Sequence, residues 1–316
     1  MQLTIQTRSS LIIPAVLDGV TLEQERSGVP SKLTFTVIKG GTESFQEGDA
    51  VTFSYDGVTM FAGYIFTKSR TKEQHIKVVA YDQMRYLKNK FTYVFTNKTA
   101  TQIIKAVCND FGVKTGSMED TGYVIPTLIE DNKTLFDIIL DALDETLTNT
   151  GQLYVLYDNA GSLELKNISN MLTNVLIDDE TAEDFDYTTS IDDETYNKIV
   201  LYYIDQNTND RIPFEAKDSE NISQWGLLQY FEEVKTYSLG QAKADALLKL
   251  YNKKSRKLTI QKAFGNPKVR AGSFVVVQLN LGDIVTNNYM LIEKVKHNFE
   301  NDHYTMELTM NGNWGD

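Results

Sequence analysis

The chain has 316 residues, 41% of them hydrophobic, and a formal net charge of -12. That length exceeds what one core usually holds, so two or three domains are expected, and scattered Lys and Arg on an acidic chain exclude a clustered basic surface for duplex DNA or an anionic membrane. A single cysteine excludes an internal disulfide and fits a reducing cytoplasm, while the start MQLTIQTRSS and the lack of any run near ~18 apolar residues give no expectation of membrane insertion or export.

Residues 1 to 93 read as β almost throughout. Leu3 and Ile5, then Leu11 to Val20, then Leu33, Phe35 and Val37 alternating with threonines, lead into a three-strand meander. In that meander Val51, Phe53 and Tyr55 alternate with Thr52, Ser54 and Asp56. Asp56-Gly57 supplies a turn, and Met60 to Phe66 and Ile76 to Ala80 continue as strands. This is a small sandwich or barrel. Tyr81 to Leu87 has mixed spacing and reads as a short helical turn.

At Thr99 the period changes. Thr99 and Gln102 form a T-x-x-Q capping box, Ile103, Ile104, Val107 and Phe111 share one face, and Gly112 stops the helix. A second helix begins at Thr134, with Asp137 in its first turn and a stripe of Leu135, Ile138, Ile139, Ala142 and Leu143. Tyr154 to Tyr157, an Asn159-Ala160-Gly161 turn, and Leu163 and Leu165 make a hairpin. Residues 94 to 190 are thus a small α+β domain, and the acidic run from Asp178 to Glu194 reads as its surface connection onward.

From Asn197 the chain is β again, with Ile199, Leu201 and Tyr203 alternating. Asp205 to Asp210 is a turn-rich loop, and Trp225 to Phe231 leads towards a third helix. That helix is expected from Ser238, with Gln241 completing a capping box and Ala242, Ala246, Leu247, Leu250 and Tyr251 along it, over about 239–255. A second meander follows: Phe274 to Leu279, a Gly282-Asp283 turn, Tyr289 to Val295, and a strand through Tyr304, Met306, Leu308 and Met310. Two similar β modules therefore bracket the chain, an arrangement suited to a structure that uses one shape twice. With 5 prolines and no Ser/Gly-rich tract, structured turns rather than flexible linkers are expected between domains.

No catalytic, cofactor-binding or metal-ligating residue is nominated. His75, His297 and His303 lack close metal-ligand spacing and read as surface or strand-edge histidines, although His297 and His303 flank a hairpin turn. The sequence contains no P-loop, G-x-S-x-G elbow or G-x-G-x-x-G fingerprint. Cys108 lies in an apolar helical pattern and reads as a buried thiol. The carboxylates between 178 and 194 lack EF-hand order and read as a solvated face rather than a Ca²⁺ loop or glycosidase pair. Phe274-Val275-Val276-Val277-Gln278-Leu279 is apolar on both strand faces, so either both are covered within the domain or one packs against another chain.

Gly48-Asp49, Phe61-Ala62-Gly63-Tyr64-Ile65, Val79-Ala80-Tyr81-Asp82 with Tyr86-Leu87, Gly265-Asn266-Pro267, Ala271-Gly272 and Val295-Lys296-His297 together resemble the XkdQ-like, late-control-protein-D-like baseplate hub proteins of contractile phage tails. The resemblance runs over essentially the whole chain, including Trp225-Gly226 and the alanine-rich helix. It implies a mainly β, α+β chain in which tail-tube-like β-barrel modules at 1–93 and 191–316 flank the α+β domain at 94–190. It also implies a homotrimeric ring of pseudo-sixfold symmetry joining the tail tube protein to a separate spike protein, beside other baseplate proteins. Such a chain is expected in a virion or phage-tail-like particle, assembled in the bacterial cytoplasm, with no cofactor, no membrane and no specific nucleic-acid binding. The rival readings are a tail-associated peptidoglycan hydrolase, for which only the middle domain offers room, and a receptor-binding module.

Overall fold

The computed structural model describes every residue except 27, 39–43, 74, 193, 206–207, 235–236, 238–239, 301–302 and 313–316. Its contacts divide the chain into two units, one of Met1–Asp186 with Thr259–Met310 and one of Tyr187–Leu258 with Asn311–Asp316. The first unit begins with β1 (Gln2–Gln6), β2 (Leu11–Ile12), β3 (Val20–Glu25), β4 (Lys32–Val37), β5 (Ala50–Tyr55), β6 (Val58–Arg70) and β7 (Ile76–Tyr81). A 3-10 turn at Gln83–Lys88, as expected from the mixed spacing there, leads to β8 (Lys90–Thr99), α1 (Ala100–Asp110), β9 (Thr115–Met118) and β10 (Val124–Thr134). Then come α2 (Leu135–Thr150), β11 (Tyr154–Asp158), β12 (Leu163–Asn167), β13 (Leu172–Ile177) and β14 (Asp184–Ser190), the last running out of the unit.

The second unit holds β15 (Lys198–Ile204), β16 (Arg211–Lys217), α3 (Ser219–Trp225), β17 (Gln229–Glu233) and α4 (Gly240–Tyr251). The chain returns to the first unit along β18 (Ser255–Phe264) and ends on β19 (Phe274–Asn280), β20 (Val285–Glu300) and β21 (His303–Gly312).

Both meanders are present, as β5–β6–β7 and β19–β20–β21, each antiparallel. Asp56 and Gly57 have φ of 48° and 74°, the left-handed pair of a type I′ turn, whose twist matches the strands it joins. The middle strands share a construction. The first half of β6 pairs with β5 and its second half with β7, and the first half of β20 pairs with β19 and its second half with β21. Each changes register at the corresponding place, Phe66 in the strand starting at Val58 and Glu293 in the strand starting at Val285. A bulge adds local twist, which lets one strand leave one neighbour for another.

The two meanders are not separate sheets. Lys294 to Phe299 of β20 pairs antiparallel with Val20 to Glu25 of β3, so one hydrogen-bonded path runs β14-β18-β21-β20-β3-β4-β7-β6-β5-β1-β2. The path is rolled. Phe53 of β5 meets the Phe299 ring of β20 at 4.8 Å, and Tyr55 meets Tyr304 of β21 at 4.7 Å, across a core that includes Ile5, Leu22, Leu33, Phe35 and Ile65. Among the described residues its ends carry no closing pair, so hydrogen bonds leave the roll open and the core joins its sides.

In the α+β part, both helix starts form as read. Thr99 caps α1 with Gln102 reciprocating, and Thr134 caps α2 with Asp137 in the same reciprocal role. Ile103, Ile104 and Val107 meet Leu135, Ile138, Ile139 and Leu143 in one core, with β11 and β12 beneath. The ribbon of β8 and β10 has no clear strand period in sequence, because it is apolar on both faces: Ile125 and Leu128 are buried while Val94 and Ile129, directly opposite each other, are 64% and 68% exposed. The acidic run corrects the expected surface connection, since from Asp184 it becomes a strand beside β18.

In the second unit, β15 pairs antiparallel with β16 and parallel with β17, and α4 lies on Ile199, Leu201, Ala216 and Phe214. Ser238, the expected cap of α4, lies outside the described residues. The face that α4 buries is rotated from expectation. Gly240 and Ala244 are covered and Leu247 and Leu248 half-covered, while Ala242, Ala246 and Leu250 are exposed, because Gly240 seats directly on the Phe214 ring where a Cβ would fall 2.2 Å from it. Asp218 starts α3 by accepting from Glu220 and Asn221 amides, a cap that the acidic surroundings hide in sequence.

Candidate functional site

The apolar strand Phe274 to Leu279 resolves into two unlike faces. Val275, Val277 and Leu279 are buried, whereas Phe274 and Val276 lie half-covered on the other side. There β13 runs parallel to β19 and β20 antiparallel, aligning Leu172, Phe274 and Leu291 in one row and Leu176, Val276 and Tyr289 in the next. Leu172, Leu176 and Tyr289 are 55%, 41% and 50% exposed. Aligned apolar rows left open on a sheet are the form of a surface that another polypeptide covers.

Of the residues that carry the resemblance, Asp82 lies elsewhere, at a polar junction inside the first unit. Asp82 accepts from the Ser31 amide at 2.9 Å and the Met84 amide at 3.0 Å, holding the end of β7 and the start of the 3-10 turn. Burial, then the nearby Asp158 carboxylate, push Asp82 up to about 7, against those two hydrogen bonds. Burial likewise raises Asp158, whose backbone carbonyl accepts from Arg270 at 2.9 Å. The Arg270 guanidinium lies 3.6 Å from the centre of the Tyr157 ring. Arg270 therefore ties the loop before β19 to the end of β11, by a hydrogen bond and a cation–π contact.

Several signature glycines are steric requirements. A Cβ on Gly63 would fall 2.2 Å from the Tyr81 carbonyl oxygen, one on Gly265 would fall 2.2 Å from the Tyr304 ring, and Gly272 turns at φ 87° against Val155. These residues encode close approach of strands and loops rather than a reaction.

The histidines do not converge. His75 lies 3.6 Å from Glu73 and His303 is exposed, but His297, expected at a surface or strand edge, is fully buried. It shares a 2.8 Å hydrogen bond between its Nδ1 and the Tyr304 hydroxyl, and burial followed by the charge of Arg270 pulls it down to about 3, so it is neutral. Alternation along β20 turned it inward, and the tyrosine made an inward imidazole tolerable. Cys108 is buried on α1, as its pattern predicts, with its thiol pushed up to about 12 by burial. Of the acidic run, Asp178 accepts from the Glu180 and Thr181 amides, Asp186 accepts from Gln261, and Glu183 pairs with Lys262 at 2.8 Å. Among the described residues no three of His, Cys, Asp and Glu gather as a metal site.

A family model described as YQBQ-like matches residues 20–311. The chain is 35% identical over 306 residues to the uncharacterized protein YqbQ of Bacillus subtilis, spanning 93% of this chain and 91% of that one. It is 34% identical over 305 residues, with the same coverage, to the phage-like element PBSX protein XkdQ of the same organism. Its fold is similar to that of the prophage MuSo2 43 kDa tail protein from Shewanella oneidensis, with a TM-score of 0.73 over 98% of each chain at 15% identity. A match across nearly the whole sequence goes beyond any local motif: the chain belongs to the YQBQ-like family.

Proposed function

We propose that this protein is a structural baseplate hub of a contractile tail, phage or phage-tail-like, with no catalytic activity of its own. The observation that carries the reading is the duplicated meander, in which β6 and β20 share the same divided pairing and the same bulge position. One chain with two like modules supplies six like surfaces when three chains assemble, so a threefold ring can meet a sixfold tail tube on one side and a threefold spike on the other. In this proposal each meander is the nucleus of a tail-tube-like barrel, one within 1–93 and one within 191–316, and residues 94–190 form the domain between them. The open rows around Val276 and Tyr289 are then covered by a neighbouring chain of the ring or tube. The relative XkdQ belongs by name to a phage-like element, and the likeness of fold to a prophage tail protein supports the same setting, a virion or tail-like particle assembled in the bacterial cytoplasm.

Light scattering coupled to size exclusion tests this. The chain mixed with the tube and spike proteins of its own tail is expected to elute as a complex containing three copies. Failure to associate with either partner at any salt concentration removes the hub reading.

A further inference from the structure

Between the β11–β12 hairpin, the start of β13 and the loop Asn266 to Ser273 lies a cavity of about 420 Å³. Lys166, Lys268 and Arg270 line it, and no carboxylate does, a local reversal of charge in a chain of net charge -12. Arg270 is the built element. Its guanidinium is stacked on Tyr157, one Nη donates to the Asp158 carbonyl, and its Nε is buried without a partner. A planar donor fork fixed by a ring and a carbonyl loses little freedom when it grips an acceptor with two oxygens.

The other cations add charge. Lys166 lies 3.5 Å from Glu164, which offsets it in part, whereas Lys268 is exposed and has no carboxylate partner among the described residues. Asp158 offsets part of the Arg270 charge, and the two lysines leave the lining positive.

One wall is Leu172 to Val175 of β13. This strand pairs only with β19 among the described residues, and its register shifts between Leu172 and Leu176, so Thr173 to Val175 line the cavity without a ladder partner opposite them. Met171, Leu172 and Val175 share the lining with Thr173, Asn174 and Ser273, a mixed lining that suits a side chain arriving on a backbone better than a bare hydrated ion.

We propose that the cavity and the open edge of β13 form a docking groove for an extended acidic segment of a partner protein. A carboxylate of that segment enters against Arg270 and Lys268 while its backbone lies along β13. The groove is independent of the hub reading, because it follows from charge and geometry alone.

The test is fluorescence anisotropy with the full chain and a labelled peptide of about ten alternating Glu and Thr residues, beside its Gln/Thr counterpart. Lys268→Glu is expected to weaken the Glu/Thr peptide at least about tenfold without moving the melting temperature, since Lys268 is exposed. Arg270→Lys is expected to weaken it as well, with its fold checked by the same melt, because Lys cannot reproduce the fixed fork. Equal binding of the Gln/Thr peptide, or unchanged binding by the Lys268→Glu chain, overturns the proposal. So does stabilisation by inorganic phosphate that depends on Lys268 in the absence of peptide binding, which makes this a small-ion site. Self-association of the chain that Lys268→Glu abolishes overturns it in favour of a second copy as occupant.

Discussion

Asp82 and His297 give the folded chain two opposed responses to pH. The unfolded Asp82 carboxyl titrates near 3.8 and the folded one near 7, so between those values the unfolded chain has released a proton that the folded chain keeps, and stability falls as pH rises. His297 runs the other way. Its folded value is about 3 against 6.5, so from about 3 to 6.5 the unfolded chain holds the extra proton, and stability rises with pH. The slopes oppose each other between about 4 and 6.5. In Asp82→Asn only the rising slope remains, so thermal melts should show the variant gaining on the wild type from pH about 4.5 to about 8. The limit is about 4 kcal/mol, from roughly three pKa units at 1.36 kcal/mol each. Parallel pH profiles for the two proteins would mean that Asp82 is ionised in the folded state. At the same scale, Gly63→Ala places a methyl carbon 2.2 Å from the backbone oxygen of Tyr81, which cannot swing aside as a side chain can. A loss of about 1–3 kcal/mol is expected, read from urea denaturation, and an unshifted midpoint would show that β6 and β7 separate freely there.

Among elements, those governed by local chemistry formed where the pattern places them. The α1 cap is an instance. Thr99→Ala removes the acceptor for the Gln102 amide and should cost about 1 kcal/mol, visible as a lower melting temperature and faster amide exchange in the first turn of α1. Exchange confined to wild-type rates would show that the packing of Ala100 and Ile103 holds the turn unaided. Elements that depend on distant neighbours were harder to read. The β8–β10 ribbon puts apolar residues on both faces and so has no two-residue period, and β14 is acidic because it is an edge strand with solvent beside it. The buried face of α4 differs from the expected stripe because two small residues, Gly240 and Ala244, bring the helix close to the sheet, and small residues contribute little to a hydrophobic stripe.

For the whole molecule, the open rows on β13, β19 and β20 separate assembly from stability. Leu176→Asp with Tyr289→Asp changes exposed positions, so the isolated chain should melt within about 0.5 kcal/mol of wild type. For the proposed hub, the same double variant is expected to lose the complex of three copies with spike and tube partners, because two charges would be buried without partners at the proposed contact. A variant that still assembles would move the proposed ring contact to another surface. Part of this surface was legible in advance: the run Phe274 to Leu279 was apolar on both faces, which required a cover for each. Which face stays open was not, because that depends on β13 arriving alongside β19 from a hundred residues earlier in the chain.

The sequence by itself determined the predominance of strands, both meanders with their turns, the caps of α1 and α2 and the buried thiol, since each rests on interactions between residues a few positions apart. Tertiary structure alone decided that β20 pairs with β3 to join the meanders in one rolled sheet, that Arg270 reaches the end of β11, and that His297 turns inward to Tyr304. Those outcomes depend on hydrogen-bond and packing partners brought together by loop closure over long stretches of chain, and no local period encodes which distant edge a strand will meet.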